Sequence, residues 1–76
     1  MDARDLAEEE LRRRLAANVR ALRAKAEVSA REAAQRAEIP LRQWQRVEAG
    51  EVNATLKTLA RIAYALRVDA RALFAT

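Results

Sequence analysis

Residues 28–50 read VSAREAAQRAEIPLRQWQRVEAG, and they contain the only proline, the only tryptophan and the only glycine of the chain. Ser29 can cap a helix, Glu32 stands three residues on to reach back to it, and Val28 can pack on Ala33 across the cap. The helix so started runs to about Ala37, and Ala33, Ala34 and Ala37 give it a small-residue face that another helix can approach closely. Pro40 then disfavours helical geometry at Ile39, yet proline is well suited to the first position of a new helix. The next helix is therefore predicted from Pro40 to about Ala49, with Gly50 in the left-handed stop position. At about 100° per residue, Trp44, Val47 and Glu48 fall on one side of it, with Leu41 at the edge; Arg42, Gln45 and Arg46 fall on the other. One face is buried around a tryptophan while the opposite face presents two arginines.

The flanking sequence supplies the rest of a core. Leu11, Leu15, Val19, Leu22 and Ala26 recur at three- and four-residue steps, so residues 3–26 read as one helix with Asp5 and Glu8 as a capping box. Glu8–Arg12, Glu9–Arg13 and Glu10–Arg14 are acid-before-base pairs one turn apart and read as a solvated surface. Thr55 caps a fourth helix with Leu56, Leu59, Ala63 and Leu66 facing inward. Asp69 caps a short fifth, with Val68 and Leu73 on either side of the cap. No strand pattern, linker or repeat interrupts these segments. The expectation is an all-α, compact five-helix domain spanning residues 1–76: an N-terminal helical extension (1–14), the paired helices (29–50), and helices 4 and 5 (55–76).

Composition narrows the chemistry. With neither cysteine nor histidine in 76 residues, the usual general base, thiolate nucleophile and metal ligands are missing. An enzyme is not expected, and neither is a metal or other cofactor. No apolar run approaches the ~20 residues a membrane span needs, and no signal peptide opens the chain, so a soluble, cytoplasmic protein without a membrane partner is expected. The net charge of +4 is unevenly spread. Residues 1–14 carry four basic and five acidic groups, residues 15–50 seven and four, and residues 51–76 four and two. The basic excess lies in the body of the domain and favours an anionic partner.

Two short helices joined by a tight turn, the second with a basic outer face, form the helix-turn-helix pattern. The residues resemble the Cro/C1-type (XRE) helix-turn-helix domain of phage repressors and small bacterial regulators, over about positions 15 to 74. The likeness rests on S-x-x-E-x-A from Ser29, V-E-x-G from Val47, and T-L-x-T-L-x-x-I-A-x-A-L-x-V from Thr55. Two positions depart from the family. Glu38 stands where a glycine is usual in the turn, which demands either a strained residue or another shape; Ala30 stands where glutamine often touches phosphate.

The resemblance implies a lambda-repressor-like fold and a dimer on double-stranded DNA. It places base contacts on Leu41, Arg42, Gln45 and Arg46, with Pro40 beside them. Phosphate contacts fall on Gln43, Asn53, Thr55 and Lys57, and at the Ala30 position on backbone N–H groups and Arg31. Arg23 and Glu48 match positions of a structural ion pair between the first and third helices. The implied setting is a nucleoid-associated, bacterial or phage-like protein, a repressor or a controller of its own promoter. Arginine suits the base-reading task because it can donate two bonds to a guanine edge, and leucine can pack on a thymine methyl.

Each residue also has a plainer reading. Trp44 reads as a core anchor, since stacking on bases would need it on the arginine side. Arg42 and Arg46 could be merely a solvated face, and Arg12, Arg13 and Arg14 read as surface. Arg61, Arg67 and Arg71 read as solvated too. Tyr64 is either a rim residue or part of a dimer contact; Leu73 reads as core, and Phe74 as the candidate for a partner surface. A different function class stays open: a protein-binding module of the same fold, such as an antitoxin or antirepressor, which would show an exposed apolar groove in place of a basic face. A basic membrane-surface helix is disfavoured because the exposed side of the third helix lacks apolar residues.

Overall fold

The computed structural model describes residues 1–76 and contains four α-helices and one 3-10 helix, with no strand. The α-helices are α1 (Ala3–Ala26), α2 (Ala30–Ala37), α3 (Leu41–Glu48) and α4 (Leu56–Leu66), and the 3-10 helix is Ala70–Phe74. The fifth expected helix is thus corrected to a 3-10 turn. Only five residues separate its Asp69 cap from the extended Ala75, and Ala72 N–H bonds back three residues to Asp69 O at 2.9 Å.

Side-chain caps set most of the starts. Ser29 Oγ accepts the Glu32 N–H at 3.0 Å and Thr55 Oγ1 accepts the Thr58 N–H at 3.1 Å. The Glu32 carboxylate does not return to the cap; it holds Arg36 at 3.0 Å. At α1 the box forms one turn earlier than expected, with Asp2 accepting from the Arg4 and Asp5 N–H groups and Asp5 receiving the Asp2 N–H. Pro40 is the residue before α3 and not its first member: its backbone is extended (ψ 145°) while its carbonyl accepts the Trp44 N–H at 3.1 Å.

The core is centred where α2, α3 and α4 meet the middle of α1. α1 packs on α3 and on the 3-10 helix, and α2 packs on α3 and α4. Val19, Ala33, Trp44, Ile62 and Leu73 are wholly buried at the centre. Ala33, Ala34 and Ala37 present the small face that admits α4 and α3. Three inward expectations fail. Leu11 and Ala26 are exposed because α1, at 24 residues and so about 36 Å, is as long as the 37 Å molecule and outruns the core at both ends. Leu56 is 85% exposed because the buried stripe of α4 runs through Thr58, Ile62 and Ala65. Asn18 closes the chain end: its amide donates to Leu73 O at 3.0 Å and to Ala75 O at 2.8 Å.

Candidate nucleic-acid interface

The underside of α3 is held by one carboxylate. Glu48 receives the Arg23 guanidinium through two bonds, Nε at 2.7 Å and Nη2 at 3.0 Å, and also accepts the Trp44 indole N–H. Arg23 further donates to Val28 O at 3.2 Å, while Arg20 caps the Glu48 carbonyl. Burial acts to raise the pKa of the Glu48 carboxyl, but the hydrogen bonds from Arg23 and Trp44 outweigh it and hold it below the ordinary glutamate value. Arg23 is raised in turn, chiefly by its hydrogen bond to Glu48. The fork ties α3 to the C-terminal half of α1 and fixes its roll about its own axis.

That roll leaves Arg42, Gln45 and Arg46 exposed together, with Leu41 and Gln43 half-buried at the margin. Pro40, Arg42, Gln43, Arg46 and Val52 line a shallow open concavity. Seven of the fifteen Lys and Arg side chains are engaged: Arg4, Arg12, Arg13, Arg14, Arg23, Arg36 and Arg71 each hold a carboxylate. Arg42 and Arg46 hold none. A guanidinium that the fold leaves unpaired, on the one helix whose other face is pinned by a buried tryptophan, is free to meet an external acceptor.

The residues named for phosphate differ in what the fold leaves free. Gln43 Nε2 lies 3.5 Å from Thr58 Oγ1, linking α3 to the start of α4. The Thr55 hydroxyl is committed, accepting the Thr58 N–H and bonding Thr58 Oγ1 at 3.1 Å. Lys57, beside it in the first turn of α4, is exposed and unpaired. Asn53 is exposed, and its Oδ1 accepts a 2.8 Å bond from Arg12, which also holds Glu8 at 2.9 Å. Sequence reasoning missed this role of Arg12, because its contact lies 41 residues away while its helical neighbour already explains its charge. Arg31 is exposed at the start of α2, whereas Ala30 is half-buried and packs on the core.

In the turn between α2 and α3, Glu38 adopts φ 57°, ψ 43°, so the position is left-handed without glycine. Arg61 Nη1 donates to its carbonyl at 3.0 Å and anchors the turn to α4. Of the two aromatics named for a partner surface, Tyr64 is 78% exposed, while Phe74 is half-buried against the core. No cluster of three or more His, Cys, Asp or Glu is placed to hold a metal ion, and no helix is long and apolar enough to cross a membrane.

Residues 14–75 match the model of a family described as the helix-turn-helix domain. No curated protein and no solved structure matches the chain.

Proposed function

The chain belongs to the helix-turn-helix domain family, and on that premise we propose that it is a sequence-specific regulator of the Cro/C1 type, with the lambda-repressor-like arrangement, that binds double-stranded DNA. The observation that carries this reading is the pair Arg42 and Arg46, exposed and unpaired on one side of α3 while Trp44 and Glu48 fix the other. With α3 in a major groove, each arginine can make a bidentate bond to a guanine edge, Gln45 can reach a neighbouring base and Leu41 a thymine methyl. Arg31, Gln43, Asn53, Thr55 and Lys57 then lie beside the flanking backbone, where they hold the domain in register without reading sequence. The protein acts as a two-fold dimer on an inverted repeat with half-sites ~34 Å apart, and in that setting it serves as a repressor or an autoregulating controller.

Selection of bound sequences from a random DNA pool identifies the operator, and binding of Arg42→Ala and Arg46→Ala to operator and scrambled DNA tests the reading. Each substitution should remove about 1–3 kcal/mol of discrimination and leave non-specific binding in place. If both variants fold and keep the wild-type preference, α3 is not the reader, and a protein-binding module of the same fold, such as an antitoxin or antirepressor, becomes the better account.

A further inference from the structure

The large hydrophobic side chains that the fold leaves exposed fall into two groups. Met1 precedes α1 and Leu6 and Leu11 lie along its first turns, while Leu56 and Tyr64 lie on α4. On α4 they belong to a ridge, Leu56, Ala60 and Tyr64, spaced four residues apart over about 12 Å. Every charged side chain between Leu56 and Arg67 is basic: Lys57, Arg61 and Arg67. A groove beside the ridge, between α2 and α4, is lined by Arg36, Glu38, Arg61 and Tyr64 among others, and Glu38 is its one carboxylate. The other group has the opposite charge. Residues 1–10 hold five acidic side chains and one basic one, and around Leu6 the same helical face carries Asp2, Glu9 and Glu10.

We propose that the N-terminal turns of α1 in one copy of this chain dock on the α4 ridge of a second copy, with Leu6 beside Tyr64 and the carboxylates facing Arg61 and Arg67, which leaves Lys57 at the start of α4 free for DNA. Two ridges packed on each other would bring like charges together, whereas ridge against acidic helix pairs them. Under two-fold symmetry each copy gives one ridge and one acidic helix, so the contact is made twice. The carboxylates of Glu9 and Glu10 hold Arg13 and Arg14 at 2.5 and 2.8 Å, but these are exposed pairs of little strength and exchange readily for an intermolecular partner. The proposal deepens the dimer of the preceding reading and does not depend on what that dimer binds, so its test contains no DNA.

The chain has no cysteine, which allows a clean crosslinking experiment on the full-length protein. Leu6→Cys and Tyr64→Cys replace exposed residues, and their folding is checked by circular dichroism. Mixed and oxidised, the two variants should give a disulfide-linked Leu6→Cys–Tyr64→Cys heterodimer as the main product. The wild type should sediment as a dimer that dissociates as salt rises, and Tyr64→Asp as a monomer under the same low-salt conditions. A dominant Tyr64→Cys homodimer would mean that the ridges pack on each other and would overturn the proposal. So would a wild-type monomer at high concentration; DNA discrimination by Arg42 and Arg46 would then stand or fall separately.

Discussion

Glu48 gathers Arg23, the Trp44 indole and, at its carbonyl, Arg20, so a single side chain decides how α3 sits on the rest of the molecule. Glu48→Ala leaves a guanidinium and an indole N–H without their acceptor. Breaking a buried pair costs ~3–5 kcal/mol, and since Arg23 keeps 27% exposure the lower end applies, about 3 kcal/mol. Glu9→Ala, which breaks an exposed pair, should cost a few tenths, so thermal melts of the two variants should differ by many degrees. Trp44→Ala empties the centre of the core at ~3–5 kcal/mol and should unfold so small a domain. Because the folded carboxyl of Glu48 titrates below its unfolded value, its stabilisation is full above the ordinary glutamate range near pH ~4.3 and is lost as pH falls through that range and below. The Glu48→Gln variant should therefore show a shallower acid limb than wild type; parallel limbs would remove Glu48 from the pH dependence. The helical angle alone puts Glu48 on the Trp44 side, and their four-residue spacing makes the indole bond readable in retrospect. Arg23, 25 residues away, was reached only through the family resemblance, and the Arg12–Asn53 bond left no local trace at all.

At the scale of elements, the helix ends teach more than the helices. All four α-helices end alike: Glu27, Glu38, Gly50 and Arg67 are left-handed, and the residue after each donates back five positions, as from Ile39 to Ala34 O at 3.1 Å and from Val68 to Ala63 O at 3.0 Å. Gly50 is legible from its residue type and Glu38 only through the family resemblance; Glu27 and Arg67 carry no such sign. Glu27, Glu38 and Arg67 are charged residues followed by Val28, Ile39 and Val68, each half-buried against the core, so the apolar residue just past the stop is the signal that composition hides. A non-glycine residue here bears about 1–2 kcal/mol of backbone strain, part of which glycine returns as unfolded-state entropy. Glu38→Gly should thus raise stability by about 0.5 kcal/mol, with Arg61 still bonded to the same carbonyl. Gly50→Ala should lower it by about 1 kcal/mol, although the added Cβ finds nothing nearer than 3.8 Å, because φ of 74° and not space sets the penalty. Melting temperatures that move in the same direction for both would show that left-handed strain does not govern these turns. The stripe of α4 holds at Leu59, Ala63 and Leu66 and fails only at Leu56, because packing centres on Ile62 and leaves the first residue of the helix beyond the core.

For the whole molecule, net charge pointed to an anionic partner, but the fold decides which cations can reach one. Seven arginines are already paired with carboxylates, a division that depends on tertiary neighbours as well as on one-turn spacing. Among the residues placed beside phosphate only Arg31 and Lys57 are both charged and unpaired, since Gln43, Asn53 and Thr55 are neutral and release no counterion. Counterion release then predicts that log K falls against log salt with a slope of about −2 per domain, and about −4 for two domains on an inverted repeat. Lys57→Ala should weaken operator and scrambled DNA alike and reduce the slope by about one unit for each domain bound. Arg12→Ala is the informative contrast. Its guanidinium is held by Glu8 and by Asn53, so its loss should loosen the segment between α3 and α4 and weaken binding without changing the slope. Titrations of both variants over ~50–200 mM salt, with folding verified, separate the two roles. If Arg12→Ala lowers the slope as Lys57→Ala does, Arg12 itself touches phosphate, and the N-terminal turns of α1 belong to the DNA-facing surface instead of bracing it.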